Sequence, residues 1–276
     1  MDDRTLQVAF QAIRDAEALL ITAGAGMGVD SGLPDFRGTK GFWRAYPPLG
    51  KLGLAFEDMA SPRWFDRNPA LAWGFYGHRL GLYRNTIPHN GFSVLLRMAQ
   101  RMSAGAFVYT SNVDGQFQRA GFPKDRLVEC HGSIHHLQCA APCHEEIWRA
   151  DGVDVPVDEA TFLASGPLPQ CPKCGGMARP NILMFGDPAW VSRRSEEQQD
   201  RLVDWMSGLG TARLVVVELG AGMGPSVRGM SERVAAGLRG RLVRINAREA
   251  QVPEGQIGVE GPAMATLERL EALLGE

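Results

Sequence analysis

Short apolar runs alternate with amphipathic segments along most of this chain. The runs hold four to seven residues, as is typical of strands buried on both faces of a parallel sheet. They occupy residues 16–22, 106–110, 127–130, 182–185, 214–219 and 241–246. Apolar residues at helical spacing predict helices at residues 5–15, 90–102 and 263–274. The alternation predicts an α/β fold built on a Rossmann-like, doubly wound parallel sheet.

Two segments interrupt this alternation. Residues 42–84 are rich in Trp, Phe, Tyr, Leu and Pro and lack the two-residue period of a strand, which predicts a helical flap over a pocket. Residues 136–177 contain two cysteine pairs and an irregular stretch, which predicts a small zinc-binding module. Residues 1–41, 85–135 and 178–276 are then assigned to the Rossmann-like domain.

Composition narrows the range of partners. The 276 residues, 45% of them apolar and 33 of them glycine, suffice for one large domain with a small insertion. With 29 basic and 31 acidic residues the net charge is −2, so no global basic field attracts nucleic acid. No apolar run approaches the roughly 18 residues of a membrane span. We expect a soluble cytoplasmic protein without nucleic-acid or membrane partners, and the sequence predicts no particular oligomeric state.

Two glycine turns follow predicted strands. Residues 24–28 read GAGMG after the first strand, and residues 220–224 read GAGMG after a later one. Glycines at such a turn let backbone amides approach a pyrophosphate closely. A tight turn without a ligand is the alternative for the glycines alone. We interpret the two turns as strand ends that face one dinucleotide.

Four of the five cysteines form two close pairs. Cys139 and Cys143 are separated by three residues, and Cys171 and Cys174 by two. This pattern predicts a tetrahedral zinc with four thiolate ligands and no open position, which makes the metal structural. A nearby histidine, His135, His136 or His144, could replace a cysteine. Cys130 lies outside the pairs and is interpreted as a small core residue.

The segment at residues 24–38, GAGMGVDSGLPDFRG, resembles the first signature of the sirtuins, a family of NAD-dependent protein deacylases. Later segments resemble further sirtuin signatures and follow in the family's order. They are TSNVD at 110–114, AG at 120–121, HGS at 131–133, the two cysteine pairs, RPNI at 179–182 and FGD at 185–187. The resemblance implies a divergent, bacterial-type sirtuin that binds NAD and a structural zinc.

The resemblance also implies a reaction. A sirtuin breaks the nicotinamide–ribose bond of NAD and transfers the acyl group of an acyl-lysine, giving nicotinamide and O-acyl-ADP-ribose. His131 would be the general base, and Asn112 and Asp114 would complete the catalytic set by holding nicotinamide. The implied NAD-binding residues are Gly24, Ala25, Gly26, Met27, Asp35, Phe36, Arg37, Ser111, Asn112, Asp114, Gly220, Ala221, Gly222 and Asn246. An acyl-lysine protein or peptide would add as a strand beside Phe185, Gly186 and Asp187.

Several positions depart from the family's pattern. Gly28 replaces a usual serine, Ser111 a glutamine, Phe117 a histidine and Asp187 a glutamate. The turn at 220–225 replaces the family's Gly-Thr-Ser-Leu and so lacks two hydroxyl groups. These departures concern cofactor and peptide binding more than the fold.

The flap carries an indication of acyl preference. Tyr76 and Arg79 reproduce the Tyr-x-x-Arg spacing of sirtuins that prefer acidic acyl groups such as succinyl or malonyl. On a helix the two side chains share a face, so both could reach one carboxylate. The alternative is that they pack or pair locally.

Three functions therefore stay open. The first is a lysine deacylase acting on acetyl or succinyl groups. The second is an NAD glycohydrolase or mono-ADP-ribosyltransferase that uses the same bond cleavage. The third is an NAD- or ADP-ribose-binding module with little turnover. His131 favours the first, because hydrolysis of NAD alone does not need that base.

Overall fold

A six-stranded parallel sheet forms the centre of the computed structural model, which describes residues 3–34 and 38–274. Its strands are β1 (Ala18–Ala23), β2 (Ala106–Thr110), β3 (Leu127–Glu129), β7 (Leu214–Leu219), β8 (Arg241–Asn246) and β9 (Ile257–Glu260). Their order is β3-β2-β1-β7-β8-β9. Leu20 of β1 pairs with Phe107 on one side and with Val216 on the other. The order reverses between β1 and β7, the point where open α/β sheets bind ligands.

Helices cover both faces of this sheet, which confirms the doubly wound fold. On one face, Leu19 and Ile21 of β1 share a core with α1 (Asp3–Arg14), α7 (Asn90–Gln100) and α11 (Ala263–Leu274). On the other, Ala18 and Leu20 pack with α9 (Arg193–Ser207) and α10 (Arg228–Gly237). The strand side chains alternate between the two cores because successive residues of a strand point to opposite faces. A short helix, α8 (Gln116–Arg119), follows β2.

The segment at residues 42–84 is helical, as predicted. It consists of α2 (Gly38–Ala45), α3 (Pro47–Lys51), α4 (Phe56–Met59), α5 (Arg63–Arg67) and α6 (Pro69–Asn85). Helix α6 is buried on several sides, and its backbone approaches its neighbours closely. A Cβ at Gly74 would lie 2.2 Å from the Phe162 carbonyl oxygen, and one at Gly77 would lie 2.8 Å from Val155 Cβ. Only glycine allows this packing.

A second, antiparallel sheet borders the cysteine pairs, of which only Cys139 belongs to one of its strands. Its strands are β4 (Gly132–Cys139), β5 (Trp148–Arg149) and β6 (Ala178–Ile182), in the order β5-β4-β6. Leu137 and Ile182 of this sheet share one hydrophobic core with Trp73 and Phe75 of α6. Flap and zinc module thus stabilise each other.

Two strand predictions require correction. The run at 182–185 was expected to return to the parallel sheet, but the strand is Ala178–Ile182 and pairs antiparallel with β4. The apolar run alone does not distinguish a strand from a loop lining a cleft. Strand β9 was missed because Gly258 interrupts its four residues; a Cβ there would lie 2.2 Å from the Ala250 carbonyl oxygen. No helix in the described ranges is long and apolar enough to cross a membrane.

Candidate active site

The carboxyl ends of β1 and β2 open into a cleft of about 630 Å³. Many of the residues singled out from the sequence line this one cavity. They are Ala25, Tyr76, Arg79, Ser111, Asn112, Asp114, His131, Phe185, Gly186 and Asp187. Residues far apart in the sequence therefore converge on one space. Sequence reasoning missed Phe56, Tyr83, Met184 and Ser226, which also line it.

The two glycine turns pack directly against each other. Gly26 N donates a hydrogen bond to Gly220 O at 3.0 Å. A Cβ at Gly24 would lie 2.8 Å from Ala221 Cα, and one at Gly26 would lie 2.7 Å from Gly220 Cα. Gly220 itself has a φ of +57°. The glycines are thus needed for the contact between the turns, and this contact places both turns at the β1–β7 switch point.

A smaller cavity of about 100 Å³ borders this contact. It is lined by Gly26, Gly220, Asn246 and Arg248, among others. The side chain of Asn246 donates to Ala221 O at 2.8 Å and accepts from the backbone of Arg248 and Glu249, both at 3.1 Å. Its polar atoms therefore hold the second glycine turn, and the predicted contact with a ribose stays a prediction.

The remaining predicted NAD-binding residues differ in how accessible they are to a ligand. Met27 is fully buried in the main core, and its carbonyl oxygen accepts from His89 Nε2 at 2.8 Å. It can therefore contribute to a ligand site only through its backbone. Gly222 is exposed with nothing within 4 Å of an added Cβ. Asp35, Phe36 and Arg37 lie outside the described residues.

Asn112 is fixed by the end of the first two strands. Its Nδ2 donates to Gly24 O at 3.0 Å, and its backbone amide donates to Thr110 Oγ1 at 3.0 Å. The Thr110 hydroxyl in turn donates to Ala23 O at 2.9 Å. The side-chain amide therefore has a defined position at the edge of the cleft, beside the first glycine turn.

Asp114 is a buried carboxyl at the floor of the cleft. Burial raises its pKa to about 6, against a smaller lowering by the hydrogen bond from Gln116 N to Oδ1 at 2.9 Å. Glu129 raises the pKa further, and Arg79 lowers it. His135 Nε2 donates to the Asp114 carbonyl oxygen at 2.9 Å and holds this segment. Near neutral pH the carboxyl can thus exchange a proton.

His131 lies between β3 and β4 and faces the same cleft. Burial lowers its pKa, so the imidazole is neutral at neutral pH and can accept a proton. Its Nε2 lies 3.3 Å from Ser226 Oγ, and its carbonyl oxygen accepts from Leu183 N at 3.0 Å. Ser226 follows the second glycine turn by two residues, and that proximity is the sequence signal that could have identified it.

Tyr76 and Arg79 both face the cleft from α6 and are buried. The Arg79 guanidinium donates to Tyr83 Oη at 3.0 and 2.8 Å, and its Cζ lies 5.9 Å from the centre of the Tyr76 ring. Among the described residues, Tyr76 Oη makes no hydrogen bond. A buried cation and a buried phenol whose hydroxyl has no hydrogen-bond partner among the described residues therefore both line the cavity.

The loop after β6 forms one wall of the cleft. Both carboxylate oxygens of Asp187 accept from Arg179, at 2.7 and 2.8 Å, and Oδ2 also lies 3.3 Å from Met184 N. Gly186 has a φ of +65°, and Phe185 is 52% exposed. The carboxylate of Asp187 thus holds the loop in place. The groups of this loop that remain for a peptide are backbone groups and the Phe185 ring.

Two positions that depart from the family pattern have clear surroundings. Phe117 is buried in the main core, with ring centres 5.0 Å from Phe92 and 5.2 Å from Phe122. A Cβ at Gly28 would lie 3.2 Å from the Leu33 side chain and 3.8 Å from Asp114 Oδ2. Phe117 therefore serves packing, and Gly28 lies beside the floor of the cleft.

The four paired cysteines fit a zinc ion. Their sulfurs all lie within 4.8 Å of one another, with Cys139 Sγ 3.8 Å from Cys174 Sγ and Cys143 Sγ 3.7 Å from Cys171 Sγ. A tetrahedral site with Zn–S bonds of about 2.3 Å requires sulfurs about 3.8 Å apart. His144 Nε2 lies 3.3 Å from Cys171 Sγ, beside a cluster that already offers four thiolates. The metal would hold β4 to the loop before β6.

Comparison with known proteins agrees with this geometry. Residues 24–216 match the sequence profile of the Sir2 family. The chain is 32% identical over 256 residues to NAD-dependent protein deacylase 2 of Pyrobaculum aerophilum, covering 91% of this chain and 88% of that protein. It is 30% identical over 197 residues to NAD-dependent protein deacylase 1 of Caldanaerobacter subterraneus subsp. tengcongensis, covering 71% and 72%.

A solved structure has the same fold. The crystal structure of a Sir2 homologue in complex with NAD superposes with a TM-score of 0.70 at 24% identity, covering 100% of this chain and 94% of that one. The profile match extends over more than half of the chain and includes the first glycine turn, both cysteine pairs and all the cleft residues named above except Ser226. The chain belongs to the Sir2 family.

Proposed function

We propose that this protein is an NAD-dependent protein lysine deacylase that releases nicotinamide and transfers the acyl group to ADP-ribose. The observation that carries the proposal is the convergence of His131, Asn112 and Asp114 on one cavity that also reaches Tyr76 and Arg79. A base, a site for nicotinamide and a space for an acyl chain are needed together only for acyl transfer. The deacylases among the similar proteins support the same activity.

The cleft fits NAD at the switch point. The two glycine turns present backbone there, since Ala25 lines the cleft and both Gly26 and Gly220 line the smaller cavity. When bound, NAD supplies an electrophilic ribose carbon and the hydroxyl that receives the acyl group. Asn112 and Asp114 would hold the nicotinamide carboxamide, since an amide and a carboxyl offer both donors and acceptors. Gly24, Ala25, Gly26, Gly220, Ala221 and Gly222 would line the diphosphate.

His131 would remove a proton from the ribose hydroxyl. Its imidazole is neutral because burial lowers the pKa, and Ser226 Oγ at 3.3 Å from Nε2 can orient the ring. The acyl-lysine chain would enter beside Phe185 and Gly186 as an added strand. The exposed Phe185 ring and the cleft walls would exclude water from the reacting carbon.

The acyl group is proposed to be acidic. A succinyl or malonyl carboxylate that enters the cavity would meet the Arg79 guanidinium, which Tyr83 holds in place, and the Tyr76 hydroxyl, which has no hydrogen-bond partner among the described residues. Charge-assisted hydrogen bonds of this type are the stronger ones in proteins. A cytoplasmic location forms part of the proposal, because reducing conditions keep four zinc-binding thiols available.

Peptide dependence of nicotinamide release tests the activity. The protein is incubated with NAD and with acetyl- or succinyl-lysine peptide, and nicotinamide and O-acyl-ADP-ribose are quantified. We expect both products only when acyl peptide is present. Release of nicotinamide without peptide would favour a glycohydrolase or ADP-ribosyltransferase, and NAD binding without any product would favour a binding module.

Replacement of the proposed base tests the mechanism. His131→Ala should lower deacylation by at least roughly a hundredfold, as removal of a general base does, and leave NAD affinity largely unchanged. Ser226→Ala removes only the hydroxyl that orients the His131 ring and should lower deacylation less. Thermal melting of both variants controls for folding. Full deacylation by His131→Ala would contradict the assignment.

A further inference from the structure

We infer that a second cavity binds a small anion that carries two or more phosphate groups. It has a volume of about 470 Å³ and shares Tyr83 and Asp114 with the active-site cleft. Six basic side chains line it: Arg84, Arg119, Lys124, Arg149, Arg194 and Arg201. Only two acidic residues, Asp114 and Glu197, line it with them. Apart from Asp114 and Tyr83, which it shares with the cleft, its residues have no role in the proposed reaction, and the inference does not depend on that reaction.

Most of this positive charge lacks an acidic partner. Arg149 pairs with Asp151, and Arg194 pairs with Glu129. The carboxylate of Glu197 is engaged by Arg193, outside the cavity, at 3.3 Å. Within residues 3–34 and 41–274, no ion pair is formed by the remaining four cations, Arg84, Arg119, Lys124 and Arg201. In a chain of net charge −2, this is a local concentration of charge that favours an anion.

Histidines in the cavity experience the same field. Burial, together with the Arg194 and Arg149 guanidiniums, lowers the pKa of His136 to about 3. His135, also in the cavity, has its pKa lowered mainly by burial and further by Arg84 and Arg149. Both imidazoles are thus neutral at physiological pH. The positive potential in the cavity therefore comes from the arginine and lysine side chains and remains available to a ligand.

Part of the site is held rigidly. Arg84 donates to the carbonyl oxygens of Val153 at 2.5 Å and Ala150 at 2.6 Å, and Arg119 donates to the Arg84 carbonyl oxygen. These bonds connect α6, α8 and the zinc module around one wall. Lys124 and Arg119 are exposed at the opening, where they can draw an anion in.

The residue types indicate phosphate. Guanidinium groups bind phosphate oxygens in pairs of parallel hydrogen bonds, and arginine predominates here. One phosphate would satisfy two or three of the six cations, so an anion with at least two phosphates matches the charge better. The enclosed volume suits a polyphosphate or a nucleoside polyphosphate rather than a polymer.

Calorimetric titration with inorganic triphosphate tests the site. The zinc-loaded full-length protein is titrated at low and at moderate salt, with saturating ADP-ribose present to occupy the proposed NAD site. The triple variant Arg119→Gln/Lys124→Gln/Arg201→Gln should bind roughly tenfold or more weakly, since three uncompensated cations are removed. Arg241→Gln, an exposed cation at the start of β8 outside this cavity, is the matched control and should bind like the wild type.

The outcomes separate the possibilities. Binding that persists with ADP-ribose and falls only in the triple variant supports the site. Parallel titration with ATP then identifies the source: tighter binding of ATP indicates a nucleotide, and equal binding indicates inorganic polyphosphate. Three results would overturn the proposed site. They are loss of triphosphate binding when ADP-ribose is present, a triple variant that binds as tightly as the wild type, and a loss in Arg241→Gln as large as that in the triple variant. Unchanged melting temperatures establish that the variants fold.

Discussion

Arg179 and Asp187 form a bidentate ion pair that is almost completely shielded from solvent. Arg179 belongs to β6 and Asp187 to the loop that follows, and the side chains are 1% and 0% exposed. The N–O distances are 2.7 and 2.8 Å. The pair fixes the loop that presents Phe185 to the cleft, so this buried contact determines the wall against which a peptide would bind.

Removal of the charge at Asp187 should be costly. Asp187→Asn leaves a buried guanidinium uncompensated and should lower the free energy of unfolding by about 3–5 kcal/mol, measured by urea denaturation. Asp187→Glu, which restores the residue usual in the family, keeps the charge and should cost less. The double variant Arg179→Met/Asp187→Leu should be more stable than Asp187→Asn. Equal unfolding midpoints for Asp187→Asn and the wild type would contradict this account.

Replacement of Asp114 by asparagine should raise the stability of the protein and lower its activity. Its pKa of about 6 in the folded protein exceeds the ordinary value of 3.8, so the folded state binds more protons between these pH values. The contribution of Asp114 to stability is therefore greatest below pH 4 and is lost as the pH rises through 6. Asp114→Asn should increase the free energy of unfolding by up to about 3 kcal/mol at pH 8 and leave it unchanged near pH 4.

The same substitution should weaken catalysis. An asparagine keeps the acceptor for Gln116 N but loses the ionisable group, so kcat/KM should fall. The part of its pH dependence that comes from Asp114 should be lost, whereas the part that comes from His131 remains. Urea denaturation at two pH values and a pH–rate profile measure the two effects. An Asp114→Asn variant less stable than the wild type at pH 8, or one that retains the pH profile, would show that burial does not control this carboxyl.

The sequence predicted those features that local spacing determines. The cysteine pairs, the glycine turns and His131 are each recognisable within a few residues, and the structure brings the four sulfurs together as predicted. Five of the six parallel strands were also recognisable, because burial on both faces leaves continuous apolar runs.

Features built from distant residues were not predicted. His131 and Ser226, for example, are 95 positions apart. Tyr83 lies only four residues after Arg79 on the same helix, but that spacing alone does not show that its hydroxyl accepts from the guanidinium. The three backbone hydrogen bonds of the Asn246 side chain were not predicted either, and its contact with a ribose stays a prediction. A residue type indicates which bonds it can form, and only packing decides which partner it has.

The zinc assignment can be tested with a cysteine outside the cluster as control. Cys174→Ser alters an exposed member of the cluster and should lose about one equivalent of zinc, with a fall in stability of several kcal/mol. Cys130→Ser alters a half-buried cysteine elsewhere and should retain zinc. Elemental analysis and thermal melting measure both. Full zinc content in Cys174→Ser would indicate another ligand, for which His144, at 3.3 Å from Cys171 Sγ, is the candidate.

Substitution of Tyr76 or Arg79 should change the acyl preference without unfolding the protein. Tyr76 Oη makes no hydrogen bond among the described residues, so Tyr76→Phe removes no such bond and should leave the melting temperature unchanged or slightly higher. Arg79→Met keeps an unbranched apolar side chain against the surrounding rings. A carboxylate that both groups bind would gain roughly 2–3 kcal/mol, which corresponds to roughly a hundredfold preference over acetyl.

Both variants should therefore lower kcat/KM for succinyl-lysine peptide and spare or raise it for acetyl-lysine peptide of the same sequence. Arg79→Met should have the larger effect because it removes the charge, and Tyr76→Phe the smaller. Tyr83→Phe, which removes the hydroxyl that accepts from Arg79, should lie between them. An equal loss on both peptides would mean that these side chains only hold the flap together, and the acidic-acyl proposal would then fail while the deacylase proposal stood.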